Sequence, residues 1–451
     1  MYNPNLHLLI DDDEVLYRRG LTRVIEQPQR FQLAPVLEAD RAWEHDSVSL
    51  WGSVCRDETK FQMWYLATRE PRGQLHSRIC YATSTDGVTW TRESSNRYPV
   101  PEANENNIVY RDERDPEIMR THPFTVLRDE VDPDSTRRYK FIGYMNDAIG
   151  TRGYSIGFSA DGVEWTMPPR VHLPRGDRTA VGQAFVKGGF VMSSRGDHRD
   201  RDRQAGHATR RDIAISRSDA LLHWTPGIRV FEGDDDDPPE TEFYGMPLFQ
   251  WGNQWVGFLE YYDPLNEILN LQLATSRDGD RWARACSRRT YFDVGSSDSW
   301  DSTWVAFPPS PPIVAGEEML FWYTGRPIAH RRPEGVPFRA SIGLARAPRD
   351  RFAGLRAGPD GGELTTDWIE IGAPRLLLNI GAACDAISVA VTGDDGQPLD
   401  GFDHKDCDLD IANGVDVETT WRGQNLARHV GDRVRLHVRI NYATLYAYRF
   451  A

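Results

Sequence analysis

Apolar positions alternate with polar ones along this chain in short runs, and helical 3.6-residue spacing is almost absent. The runs fall in pairs ahead of a recurring phrase. Residues 50–54 and 61–67 precede Ser84-Thr85-Asp86-Gly87-Val88-Thr89-Trp90. Residues 124–127 and 139–144 precede Ser159-Ala160-Asp161-Gly162-Val163-Glu164-Trp165. Residues 181–186 and 189–193 precede Ser216-Arg217-Ser218-Asp219, which leads to Trp224. Residues 246–250 and 255–261 precede Ser276-Arg277-Asp278-Gly279-Asp280-Arg281-Trp282. A fifth pair, 306–314 and 319–323, precedes a degenerate third strand at 342–346. The tryptophans stand 75, 59 and 58 residues apart, and a period of that size marks a repeat architecture.

Asp-Gly after a strand is a hairpin turn, because glycine takes positive φ and aspartate bonds the turn backbone. The tryptophan three residues on can cap the apolar space between neighbouring sheets. Each unit therefore reads as three to four antiparallel strands over roughly 60 residues, the size of a propeller blade. The phrase is a fold signature on the outer rim rather than a catalytic motif. The predicted fold is all-β, a five-bladed β-propeller followed by a C-terminal β-sandwich.

The pattern changes near Asp367. Strands are predicted at 375–379, 386–392, 415–420, 433–440 and 443–450, with polar turns between them, as in a sandwich. The predicted divisions are an N-terminal extension at 1–35 packing on the propeller, a propeller catalytic domain at 36–360, and the sandwich at 367–451. The sandwich reads as a packing or carbohydrate-contacting module. Asp403, His404, Lys405, Asp406 and Asp408 read as a solvated loop in preference to an ion site.

Composition narrows the function. The chain has 451 residues and a net charge of −14, which argues against a nucleic-acid partner. Five scattered cysteines without CxxC spacing argue against zinc and suggest reduced thiols. No apolar stretch approaches the roughly 18 residues of a membrane helix. No leader is visible at the start, so the expectation is a cytoplasmic protein without a membrane partner. Oligomerisation is left open.

The candidate chemistry lies in acidic residues just ahead of each innermost strand: Asp46, Asp115, Asp177, Glu242 and Asp301. Their spacings of 69, 62, 65 and 59 match the repeat period. In a propeller these positions converge on one mouth. Glu44 is a rival for the first slot. Carboxylates crowded together are costly unless they face a cation or a cationic transition state. Glycoside cleavage passes through an oxocarbenium-like state and uses paired carboxylates. Arg114 and Arg178 adjoin two of the carboxylates and could hold sugar hydroxyls or an anionic group. Glu242 is the strongest candidate, because Phe243 and Tyr244 offer desolvation and a stacking face. Glu240 is its weaker rival. His330 could face the channel in the fifth blade. Residues 195–211 read as a long insertion near the mouth. No metal or other cofactor is required, and a structural Ca²⁺ or Na⁺ ion is the one addition the channel could hold.

Over residues 36–350 the plan resembles the furanosidase propellers of glycoside hydrolase families 32, 68 and 43. Arg114-Asp115-Pro116 resembles the Arg-Asp-Pro motif of family 32, which implies a transition-state-stabilising role for Asp115. The resemblance implies an acid/base role for Glu242 and a nucleophile or base role for Asp46 or Glu44. A family 43-like arrangement gives the stabilising role to Asp177. The family 32 nucleophile motif Trp-Met-Asn-Asp-Pro-Asn-Gly and its Glu-Cys pair are missing.

The expected function is a glycoside hydrolase acting on a furanoside or a small oligosaccharide. Tyr244, Arg114, Arg178, Asp301 and His330 would contact substrate. Two alternatives stand beside it, a sugar phosphorylase or transglycosidase and a non-catalytic carbohydrate-binding propeller. A sialidase reading is weaker, because its arginine triad and Tyr–Glu pair cannot be assigned.

Overall fold

A computed structural model describes residues 2–69, 76–95, 97–110, 120–146, 152–167, 178–195, 211–331, 335–382, 387–409 and 413–451. The described residues form an all-β structure with 3-10 turns of three residues and no α-helix.

Five antiparallel units follow one another. In the first, Ser47–Ser49 and Val54–Arg56 pair with Phe61–Arg69, which pairs with His76–Ser84. The second is Arg120–Arg128, Tyr139–Asn146 and Arg152–Ser159. The third runs Thr179–Gln183, Phe190–Arg195, Ile213–Ser218 and Ile228–Phe231. The fourth places Glu242–Phe243 and Leu248–Trp251 against Gln254–Asp263, followed by Ile268–Ser276. The fifth is Trp304–Ala306 and Ile313–Ala315, then Glu318–Arg326, then Ser341–Pro348. That last strand is a full eight residues and not degenerate. Four consecutive residues, Ile342 to Ala345, are buried in it although no Asp-Gly-Trp phrase follows. On its outer edge it pairs with Gln29–Arg30 from the N-terminal segment.

The first strands of units one and five are broken where single runs were expected. At Gly52 a Cβ would lie 2.1 Å from the Trp64 carbonyl oxygen and 2.5 Å from the Phe124 ring, so the chain departs from the sheet. In unit five, Pro308, Pro311 and Pro312 remove the ladder donors.

The units touch in chain order. Val126 N donates to Ser53 Oγ at 2.9 Å, and Val181 N donates to Thr125 Oγ1 at 3.1 Å. Ser193 Oγ donates to the Met246 carbonyl. Leu269 pairs with Trp304 in parallel register. The fifth unit returns to the first, where Leu50 N donates to Thr324 Oγ1 at 2.8 Å. One cavity of about 660 Å³ is lined by Val54, Val126, Gly182, Phe249 and Ile313, a residue from each unit.

The repeat phrase is a local scaffold. Ser84 Oγ accepts from Gly87 N at 2.8 Å, while Asp86 Oδ1 accepts from Val88 N and Thr89 N at 2.7 Å. Those donors pull the Asp86 carboxyl down to about 2. The arrangement recurs at Ser159/Asp161 and Ser276/Asp278. Gly87, Gly162 and Gly279 all take positive φ, as the sequence implied.

Two further sheets complete the chain, and one apolar cluster draws on both. It joins Leu376, Leu378 and Leu445 of one sheet to Leu364, Val389 and Val438 of the other. These sheets start before the change of pattern at 367, since Ala353–Ala357 and Gly362–Thr366 already belong to them. They also recruit the N-terminal segment. Leu6–Leu8 pairs with Ala443–Phe450, Val15–Arg19 with Gly362–Thr366, and Leu21–Ile25 with Ala353–Ala357. Residues 353–366 thus sit in these sheets rather than with the repeats, although periodicity had grouped most of them with the latter.

Candidate active site

Among the described residues, first strands have residues at their entry as the repeat implies. Asp46 precedes Ser47–Ser49, Arg178 precedes Thr179–Gln183, and Glu242 opens Glu242–Phe243. The cavity described above lies at the other end of these strands. Arg114, Asp115 and Asp177 lie outside the described residues, as does most of the 195–211 stretch.

The described entry residues have different surroundings. Asp46 is exposed. Glu44 is 0% exposed. Its Oε1 accepts from Tyr65 Oη at 2.6 Å and Arg92 Nε at 2.7 Å, and its Oε2 accepts from Arg92 Nη2 and the backbone N–H groups of Asp40 and Arg41. These bonds occupy both oxygens and leave Glu44 anchoring the first unit. Asp301 is 1% exposed and equally engaged. It accepts from Arg30 Nε at 2.8 Å, Tyr323 Oη at 3.0 Å and Ser299 Oγ at 2.7 Å, which ties the N-terminal strand to the fifth unit.

Glu242, Tyr244 and His330 come together. Glu242 is 9% exposed, and one of its oxygens is paired with Arg211 Nη1. The Arg211 guanidinium lies 5.2 Å from the Tyr244 ring centre and 5.5 Å from that of Tyr262. His330 meets Tyr244 edge to face at 5.4 Å and Trp304 at 5.3 Å. Burial, then the charges of Arg326, Arg211, Arg195 and Arg331, push the His330 imidazole down to about 3. It is therefore a neutral ring near pH 7, able to give one hydrogen bond and accept another. Arg326 lies behind it, against Trp304.

Arg178 stands beside this group. Its Nε donates to Glu260 Oε2 at 2.9 Å and its Nη2 to Glu260 Oε1, a bidentate pair. Gly245, next to Tyr244, makes room for the pair, since a Cβ there would lie 2.4 Å from the Arg178 side chain. Glu260 N donates to the Gly245 carbonyl and Tyr244 N to the Glu260 carbonyl, so the pair and Tyr244 share one backbone frame. The Trp51 ring lies 5.9 Å from the Arg178 guanidinium.

Sequence reasoning missed Glu260, Arg211, Arg326, Tyr262 and Trp304. Glu260 had a signal, as the one charge in the apolar run Trp255-Val256-Gly257-Phe258-Leu259-Glu260-Tyr261. A carboxylate at a buried strand position needs a cation, and Arg178 is that cation. Arg326 ends the apolar strand Glu318–Arg326 in the same way. Among the described residues no three His, Cys, Asp or Glu side chains converge as a metal site, and no helix is long and apolar enough to cross a membrane.

No protein-family signature matches the chain. No curated protein matches its sequence either. Solved structures do match. A glycosyl hydrolase from Bacteroides ovatus superposes with a TM-score of 0.51 and 14% identity, covering 74% of this chain and 98% of that one. A β-1,2-mannobiose phosphorylase from Listeria innocua, in complex with β-1,2-mannobiose, gives 0.50 and 11%, covering 71% and 96%. A further glycoside hydrolase gives 0.51 and 14%, covering 71% and 92%. At these identities the likeness is one of fold. The chain shares its fold with two glycoside hydrolases and a β-1,2-mannobiose phosphorylase.

Proposed function

We propose that the chain is a five-bladed β-propeller carrying a two-sheet sandwich, and that it cleaves a glycosidic bond. The observation that carries the reading is Glu242, a nearly buried carboxylate at the start of an inner strand, held by Arg211 and walled by Tyr244. Five units touching in chain order and sharing one cavity support the propeller, and the fold neighbours support sugar chemistry. The kinship to families 32, 68 and 43 rests on Arg114-Asp115-Pro116 and is part of this proposal.

In this reading Glu242 takes up a proton once substrate draws Arg211 off its carboxylate and delivers that proton to the leaving oxygen, and Asp46, Asp115 or Asp177 serves as the partner carboxylate that attacks or activates water. Arg178, fixed by Glu260, binds substrate hydroxyls, and Tyr244 stacks on a sugar face. Glu44 and Asp301 hold the frame. The substrate is a furanoside or small oligosaccharide, and no cofactor takes part.

Hydrolysis of a panel of nitrophenyl glycosides, furanosides included, tests the reading with wild type and Glu242→Gln. Turnover that disappears in the variant supports it. No turnover on any member, with or without added phosphate, overturns it. Turnover only with phosphate would establish the second reading, phosphorolysis, which the likeness to the mannobiose phosphorylase favours.

A further inference from the structure

The cationic groups beside Glu242 outnumber their carboxylate partners. Arg211 is paired with Glu242, and Arg331 faces Glu267 at 3.6 Å. Arg326 is 1% exposed and has no carboxylate partner among the described residues. Its guanidinium lies 4.9 Å from the Trp304 ring centre and 4.5 Å from that of Phe338. Nη2 reaches the Ala329 carbonyl at a long 3.4 Å, and Nε is buried without a hydrogen-bond partner. Burial lowers this guanidinium to about 10, which still leaves it charged near pH 7.

A buried charge lacking a counter-ion costs several kcal/mol, and an arginine cannot escape by losing its proton. His330 cannot neutralise it, because an imidazole is either neutral or cationic. The charge of Glu267 reaches Arg326, but that carboxylate already faces Arg331, so the cluster is short of an anion that a ligand could supply. A guanidinium in contact with two rings offers its donors chiefly along its edge, the geometry that meets two coplanar oxygens. Of the surrounding rings Tyr244, 7% exposed, keeps some surface for the face of a sugar, whereas free phosphate brings no apolar face to it.

We propose that Arg326 and His330 form a carboxylate subsite, so that the sugar this site takes is an acidic one of the uronic-acid class. The inference rests on the glycoside-cleaving reading and specifies its substrate. The guanidinium edge of Arg326 binds the carboxylate, and neutral His330 gives a hydrogen bond to it or to a neighbouring hydroxyl. An acidic chain with net charge −14 repels such a sugar elsewhere, and the cationic cluster reverses the field only within about a Debye length, roughly 8 Å at physiological salt.

Calorimetric titration of the full chain with glucuronate, galacturonate, glucose, galactose and inorganic phosphate tests the proposal without requiring turnover. At least one uronate should bind about tenfold or more tightly than its neutral counterpart, and Arg326→Gln should erase the difference. If that variant does not fold, the wild type still decides. The uronate should shift the His330 imidazole resonances, and the neutral sugar should not. Equal binding of uronate and neutral sugar would overturn the proposal, as would binding of phosphate alone. An inactive protein that binds uronate would sink the glycoside-cleaving reading and leave the subsite standing.

Discussion

Trp322 in the fifth unit donates its indole N–H to the carbonyl oxygen of Gly87 in the first, at 2.9 Å. The contact recurs one unit on, where Trp64 donates to Gly162 at 2.7 Å. The Asp-Gly turn of one unit is thus the acceptor for a buried tryptophan of the unit before it. This explains why the turn residue is glycine twice over. Gly162 has φ of +80°, and a Cβ there would lie 2.5 Å from the Trp64 ring. Gly162→Ala should therefore cost about 2–4 kcal/mol, from backbone strain and overpacking together. Urea denaturation reads this directly. A loss under about 0.5 kcal/mol, the range of ordinary surface changes, would show that the turn does not bear on the neighbouring unit.

The Arg178–Glu260 pair makes a second prediction. Both side chains are buried, with Glu260 at 0% exposure. Removing one partner strands the other's charge, so Arg178→Met should destabilise by about 3–5 kcal/mol. Replacing both, as Arg178→Met with Glu260→Leu, should recover part of the loss. A double-mutant cycle in guanidinium chloride measures this coupling. Additive losses would mean that the two charges do not depend on each other.

These relationships also mark the boundary of what the sequence reveals. The repeat period lay in the Asp-Gly-Trp phrases, and the strand at 433–440 was marked by the alternation in Val434-Arg435-Leu436-His437-Val438. Local pattern cannot show what a strand pairs with. Leu6–Leu8 joins Ala443–Phe450 across more than 400 residues, and only the folded chain brings them side by side. The same limit applies to the carboxylates. Glu44 matched the spacing of an entry residue, but its position is explained by Arg92 and Tyr65, which no spacing links to it. Glu260 fell outside the spacing rule and was overlooked, although a lone charge in an apolar strand is itself a sign of a buried partner.

Glu242→Gln keeps the shape of the side chain and removes its proton chemistry. If Glu242 is the acid/base group, kcat should fall about 10²–10⁴-fold while KM changes little. The measurement is steady-state hydrolysis of whichever glycoside proves active. A variant with unchanged kcat would move the proton transfer to another carboxylate.

His330 gives the protein an acid-sensitive point. Its imidazole is pushed from 6.5 to about 3 by burial and by Arg326, Arg211, Arg195 and Arg331. Between those two values the unfolded chain binds a proton that the folded chain refuses. Stability therefore rises with pH across that window, and the penalty is absent above about 6.5. Falling pH favours the unfolded state progressively until about 3. His330→Gln cannot take up the proton in either state, so the acid-side decline should be shallower in the variant than in the wild type. Tm measured at steps from pH 7.5 to pH 4 tests this. The variant should lose Tm relative to wild type at pH 7.5 through weaker packing against Trp304 and Tyr244, and the gap should narrow as pH falls. Parallel curves would show that His330 charges freely in the folded protein and that the arginines around it are already neutralised.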